Sequence, residues 1–212
     1  MHEPTGVGAE DRRLWLRWAP TFLGFPVGGA LAHAVAGPVD GVGPALVEGL
    51  LAGTVVGAGQ WLALRRRLGG GSWAWVVATA AGMATGLGAG VALAGYPAGA
   101  AELALVGAAS GAGVGGLQAL VLRGRVPQAW PWALAVPPAW AVGWLVTRAA
   151  GVDLSPRWPV FGASGAVVCT ALTGIGLAFL LRDRASGGEA APTSSAGATR
   201  NATENATEQE LR

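Results

Sequence analysis

Few side chains in this sequence could take part in a reaction, and each needs a partner. Ser164, in the stretch Gly162-Ala163-Ser164-Gly165-Ala166, would be a nucleophile if a general base stood beside it. The imidazoles on offer are His2 and His33, far apart along the chain. Glu48 with His33 could hold a proton or a cation, because an ionisable group at membrane depth is a functional candidate by default. Gln60 and Gln118 carry amides at matching places in two similar stretches. They could bond to each other across helices or line a solute site. Pro137 and Pro138 are adjacent in an apolar run and would break a helix there, and broken helices are common at transporter binding sites. Other chemistries can be struck out. Cys169 is a single thiol, so it makes neither an internal disulfide nor a metal site. The 14 basic residues are all arginine, which removes a lysine Schiff base and a phosphate-loop lysine.

The serine stretch resembles the nucleophile motif of the rhomboid intramembrane serine proteases. That resemblance implies a histidine base on a later helix, and no histidine follows Ser164 here. The expected role of the stretch is therefore a small-residue packing face. Gly111-x-Gly113-x-x-Gly116 spells a dinucleotide motif, but it lies inside a helical run and the next acid is Asp153. No H-E-x-x-H motif occurs, and the basic residues follow a plane rather than a nucleic-acid-binding face. No cofactor, no metal and no nucleic-acid partner is expected.

The elements that must position these residues are set by the solvent. Apolar residues make up 52% and charged residues 12% of 212, too few charges to cover a water-soluble globule. The apolar residues form six runs near the ~20 residues that cross a hydrocarbon core. They predict helices over 14–36, 46–64, 73–95, 102–122, 129–149 and 160–181. The expected fold is an all-α membrane protein with six transmembrane helices. Residues 1–13 form an N-terminal segment, 14–182 the membrane domain, and 183–212 a polar tail that cannot bury enough apolar area to fold. The tail holds two N-x-T sequences, at Asn201 and Asn205, expected to be accidental. No cleavable signal peptide is expected, because the first run is long enough to stay as an anchor.

The chain repeats. Trp15, Trp73 and Trp130 lie 58 and 57 residues apart, and "GTVVGAGQWLALR" (53–65) aligns with "GAGVGGLQALVLR" (111–123). A third copy, "TGIGLAFLLR" (173–182), has Leu177 where the others have glutamine. The units are 14–67, 73–125 and 129–182, each a helical hairpin. The block G-x-x-x-G-x-x-Q-W-L-x-L-R, followed by a Trp-led helix, resembles a group of uncharacterised bacterial multi-pass membrane proteins built of two-helix repeats. The resemblance implies this fold and no particular reaction. Three like-facing hairpins suggest a pseudo-threefold arrangement. Mitochondrial carriers share that idea, but their P-x-[DE]-x-x-[RK] motif is absent.

Arginine gives the orientation. Ten residues from Arg12 to Arg184 fall on one side, and only Arg148 and Arg157 on the other, so both termini are expected in the cytoplasm. Arginine in place of lysine suggests a bacterium, hence the inner membrane. Trp15, Trp18, Trp61, Trp73, Trp75, Trp130 and Trp132 fall at the inner ends of helices and read as an aromatic belt, with anionic lipids as partners at the cytoplasmic face. Glu48 and Glu102 are expected in first helical turns, where free N–H groups stabilise carboxylates. Gly49-Gly53-Gly57, Gly82-Gly86-Gly90 and Gly107-Gly111-Gly115 are small-residue ridges that let backbones approach. The functional expectation is a non-enzymatic scaffold, partner subunit or lipid-interacting bundle, with a membrane protein or a second copy as partner. A small-solute or ion transporter is the alternative, and an intramembrane serine hydrolase a remote one.

Overall fold

The computed structural model describes residues 7–68, 73–96 and 99–187, with side chains over 12–68, 73–96 and 99–181. His2, Asn201, Asn205 and the side chains of Arg182 and Arg184 lie outside the described residues. The regular elements among the described residues are all helices, without a strand.

The first run folds as α1 (Val7–Trp18), a 3₁₀ turn (Ala19–Leu23) and α2 (Gly24–Ala36). Pro20 explains the interruption. It cannot donate to the preceding turn, and the chain tightens there. Pro26 falls in the first turn of α2, where its missing N–H leaves nothing unpaired. Then follow α3 (Val42–Leu68), α4 (Ala74–Ala94), α5 (Ala100–Leu122), α6 (Trp130–Ala149) and α7 (Ala163–Gly187). Helix thus begins before the expected boundary at 14 and continues past the one at 182.

Among the described residues, five segments are long and apolar enough to cross a membrane: Arg12–Ala36, α3, α4, α5 and Ala163–Leu181. The sixth expected span, α6, is not one of them. Four tryptophans, three prolines and Arg148 dilute its apolar character. One face of it packs on its neighbours, with Trp132, Trp140 and Trp144 turned inward, while Trp130 and Leu134 stay exposed. The helix also runs unbroken through Pro137 and Pro138, contrary to the expected break. Proline is tolerated in membrane-type helices where neighbours re-satisfy the backbone.

Each helix packs on the next in the chain, and α7 returns to the 3₁₀ turn, α1 and α2. Glycine sets the closest approaches. A Cβ on Gly53 would stand 2.8 Å from the Ala80 Cα of α4, one on Gly86 2.5 Å from the Ala109 carbonyl oxygen of α5, and one on Gly111 2.7 Å from the Pro137 Cα of α6. Such distances admit no side chain, so these three ridges join α3 to α4, α4 to α5 and α5 to α6. Phe25, Trp140, Trp144 and Phe161 form one aromatic cluster, with Phe25 and Phe161 stacked at 4.7 Å.

The aromatic belt needs correction. Trp73 and Trp130 are exposed, 66% and 62%, as an anchor should be. Trp18, Trp75 and Trp132 are at most 1% exposed and belong to the core. These three are spaced by 57 and 57 residues.

Candidate functional site

Two buried polar clusters hold four of the expected site residues. The first lies toward the arginine-rich end. Gln60 of α3 and Gln118 of α5 are brought together, with Gln118 Nε2 donating to Gln60 Oε1 at 3.1 Å. The same Nε2 donates to Thr79 Oγ1 of α4 at 2.8 Å. Thr79 in turn donates to the Trp75 carbonyl at 2.8 Å. Two indoles complete the set. Trp75 Nε1 donates to Gln60 Oε1 at 3.0 Å, and Trp132 Nε1 to Gln118 Oε1 at 2.8 Å. All five residues are buried. Both hydrogens of one amide and both indole N–H groups are used, so this layer spends its polarity on its own members.

Sequence reasoning placed the amides but missed their tryptophan partners. The signal was present in the spacing: Trp18 is the third member of that series. Its Nε1 donates to the Thr170 carbonyl at 2.9 Å rather than to a glutamine. Leu177 is fully buried.

The second cluster lies at the opposite end, about 18 Å farther along α3 at 1.5 Å per residue. Glu48 is 0% exposed, and neither carboxylate oxygen has a hydrogen-bond partner among the described residues. His33 Nδ1 of α2 faces it at 3.9 Å, too long for a hydrogen bond. The expectation of a first-turn carboxylate fails here. α3 starts at Val42, with Pro44 in its opening turn, so Glu48 falls in the second turn and turns inward. Glu102 does sit in the first turn of α5.

The α6–α7 connection lies across this end. Trp158 stacks on His33 with centroids 4.5 Å apart, and the Arg157 carbonyl accepts from the Val39 N–H at 3.1 Å. Tyr96, just beyond α4, donates its hydroxyl to the Leu154 carbonyl at 3.1 Å under the Arg157 guanidinium. Burial pushes the Tyr96 phenol up to about 12, against the pull of Arg157. Exposed Asp153 lies below the usual carboxylate range because the Ser155 N–H and hydroxyl both donate to it. A cavity of about 230 Å³ lies under this connection, walled by Pro26, Val152, Trp158 and Phe161.

Other candidates resolve individually. Pro137 supplies the backbone surface that receives Gly111 and holds no polar group open. Among the described residues, Ser164 Oγ is buried without a hydrogen-bond partner, so none of them holds a base on it, and His33 Nδ1 likewise makes no hydrogen bond. Cys169 is buried as a free thiol. The described residues contain no cluster of His, Cys, Asp or Glu able to hold a metal ion.

Comparisons with protein-family profiles, curated proteins and solved structures return no match to this chain. Its geometry must therefore carry the functional reading.

Proposed function

We propose that the chain is a non-enzymatic, multi-pass protein of a bacterial inner membrane. It acts as a rigid scaffold or partner subunit that organises lipid or protein around it, with the arginine-rich end in the cytoplasm. The observation carrying this reading is the layer of Gln60, Gln118, Thr79, Trp75 and Trp132, in which the Gln118 amide, both indole N–H groups and the Gln60 amide oxygen bond to one another. A solute site would keep such amides free for the solute.

The reading includes three two-helix units around a pseudo-threefold axis, akin to the two-helix-repeat proteins that the sequence resembles. Cyclic correspondence supports it. Trp75 reaches back to Gln60 of the preceding unit, Trp132 to Gln118, and Trp18 to Thr170 of the last unit. The glycines follow the same rule, with Gly57 against α4, Gly115 against α6 and Gly174 against Trp15 and Trp18 of α1. Ridges meeting in this way make a glycine-mediated bundle.

Reconstitution into liposomes tests the reading. Vesicles bearing the protein should release protons, potassium and small neutral solutes no faster than empty ones. One observation favours a second reading, an ion or proton transporter: a buried carboxylate without a donor, facing an imidazole. Flux that disappears in Glu48→Ala would replace the scaffold by that transporter.

A further inference from the structure

We propose that a groove between the first two spans, at the arginine-rich end, is a binding site for one anionic phospholipid. The proposal deepens the lipid-organising part of the reading above and rests on its membrane setting, not on the absence of transport.

The groove has a volume of about 530 Å³ and runs between α1, the 3₁₀ turn, α2 and α3. It has two chemically distinct parts. Arg17, Arg65 and Arg66 stand at one end, and Leu23, Val27 and Val55 line the other. This is the polarity of a phospholipid: a phosphate at headgroup depth and an acyl chain running inward. No carboxylate among the described residues forms an ion pair with these arginines. Arg65 is held in place by stacking over the Trp61 ring at 5.7 Å. Guanidinium groups bind phosphate oxygens as a fork, so the three arginines favour a headgroup of net negative charge over a zwitterionic one whose choline offsets the phosphate.

A second observation points into the same groove. Thr54, Thr79, Thr85, Thr147 and Thr173 each donate a hydroxyl to the carbonyl four residues back. Thr21 does not. It is 6% exposed, lines the groove, and its Oγ1 has no hydrogen-bond partner among the described residues. An orphan donor this deep, beyond the arginines, suits an ester or phosphate oxygen of a lipid. The 3₁₀ turn after Pro20 removes the helical carbonyl geometry the other threonines use.

The groove exists because small residues wall it. Gly59 lines it, and a Cβ built there meets nothing within 4 Å. Most of the helix-facing glycines would strike a neighbour instead. Gly59→Leu therefore fills the groove without disturbing the helix interfaces, and glycine is a poorer helix former than leucine.

The test uses the full chain in detergent, titrated with phosphatidylglycerol and, separately, phosphatidylcholine. Bound lipid is counted by native mass spectrometry, and the melting temperature is followed in parallel. One phosphatidylglycerol should bind and raise the melting temperature, while phosphatidylcholine should bind far more weakly. Arg17→Gln and Arg66→Gln should each weaken phosphatidylglycerol about fivefold, and the effects should combine. Arg148→Gln, at the opposite end, should change nothing. Gly59→Leu should abolish binding with the unliganded melting temperature unchanged or raised. Equal binding of the two lipids overturns the proposal. So does undiminished binding in Gly59→Leu or in the double arginine variant, whose exposed positions leave the fold intact. Full competition by millimolar inorganic phosphate would mean that a free phosphate, not a lipid, is the ligand. Solute flux would overturn the scaffold reading and leave the lipid result standing. Failure of lipid selectivity would do the reverse.

Discussion

The two buried polar clusters on α3 make opposite use of the same environment. At Gln60 the polar atoms meet partners from α4 and α5 and build a neutral network. At Glu48, three turns away, a group that can carry a full charge meets no donor among the described residues. A buried polar group contributes to stability only when its bonds are made, and it costs free energy when they are not. The first cluster is therefore part of what specifies the fold. The second is tolerated by the fold, and that is where a chemical role or an unsatisfied cost resides.

Substitutions can break this contrast, and the largest effect belongs to the amide layer. Gln118→Leu removes two donated bonds and one accepted bond at once and orphans the Trp132 N–H. It should destabilise the bundle by about 2–4 kcal/mol in detergent denaturation, since each such bond is worth roughly 0.6–2 kcal/mol. An unchanged unfolding curve would remove the network from the list of fold determinants. Next comes Leu177→Gln, which puts a glutamine where the sequence alignment with Gln60 and Gln118 would place one. Trp18 already bonds to Thr170, so the new amide would be buried without partners and should cost about 1–3 kcal/mol. A gain in stability would show instead that Trp18 prefers a side-chain acceptor, as its two counterparts do.

Glu48→Gln should act in the other direction. It keeps the shape of the side chain and removes its capacity for charge, so the melting temperature should hold or rise by a few degrees, equivalent to about 1 kcal/mol. A marked fall would mean that Glu48 and His33 are a working ion pair, and the contrast between the clusters would close.

The smallest effect is spectroscopic. Tyr96 is the only tyrosine in the chain, so tyrosinate absorbance near 295 nm reports it alone. Its midpoint should lie near 12 in the folded protein and near 10 in the denatured chain. Because the folded value is the higher one, the stabilisation is complete below pH 10 and fades as pH rises toward 12. Tyr96→Phe should lose that portion of the alkaline sensitivity. A folded-state midpoint near 10 would show that the α6–α7 connection does not shelter this end.

Much of the helical content was legible because it rests on run length and on breakers. Five of the six apolar runs became helical segments long and apolar enough to span a membrane. α6 was read less well, since proline pairs and tryptophans carry a breaking signal along the chain that its packed neighbours override. Of the site, Gln60 and Gln118 could be paired from their matching places in two similar stretches of sequence. Glu48 could not be assigned its depth, because that depended on α3 starting at Val42 rather than at residue 46.

What the sequence determined alone is the solvent its surface suits, the segments that coil, and the small-residue ridges spaced by four. These follow from composition and order along a line. Which member of a close pair faces inward was decided by tertiary structure. Trp73 and Trp75 are two residues apart, as are Trp130 and Trp132, and two helical steps turn a side chain through roughly 200°. One indole of each pair is left exposed and the other is carried to a glutamine. Only the packing of α4 and α6 against their neighbours could choose between them.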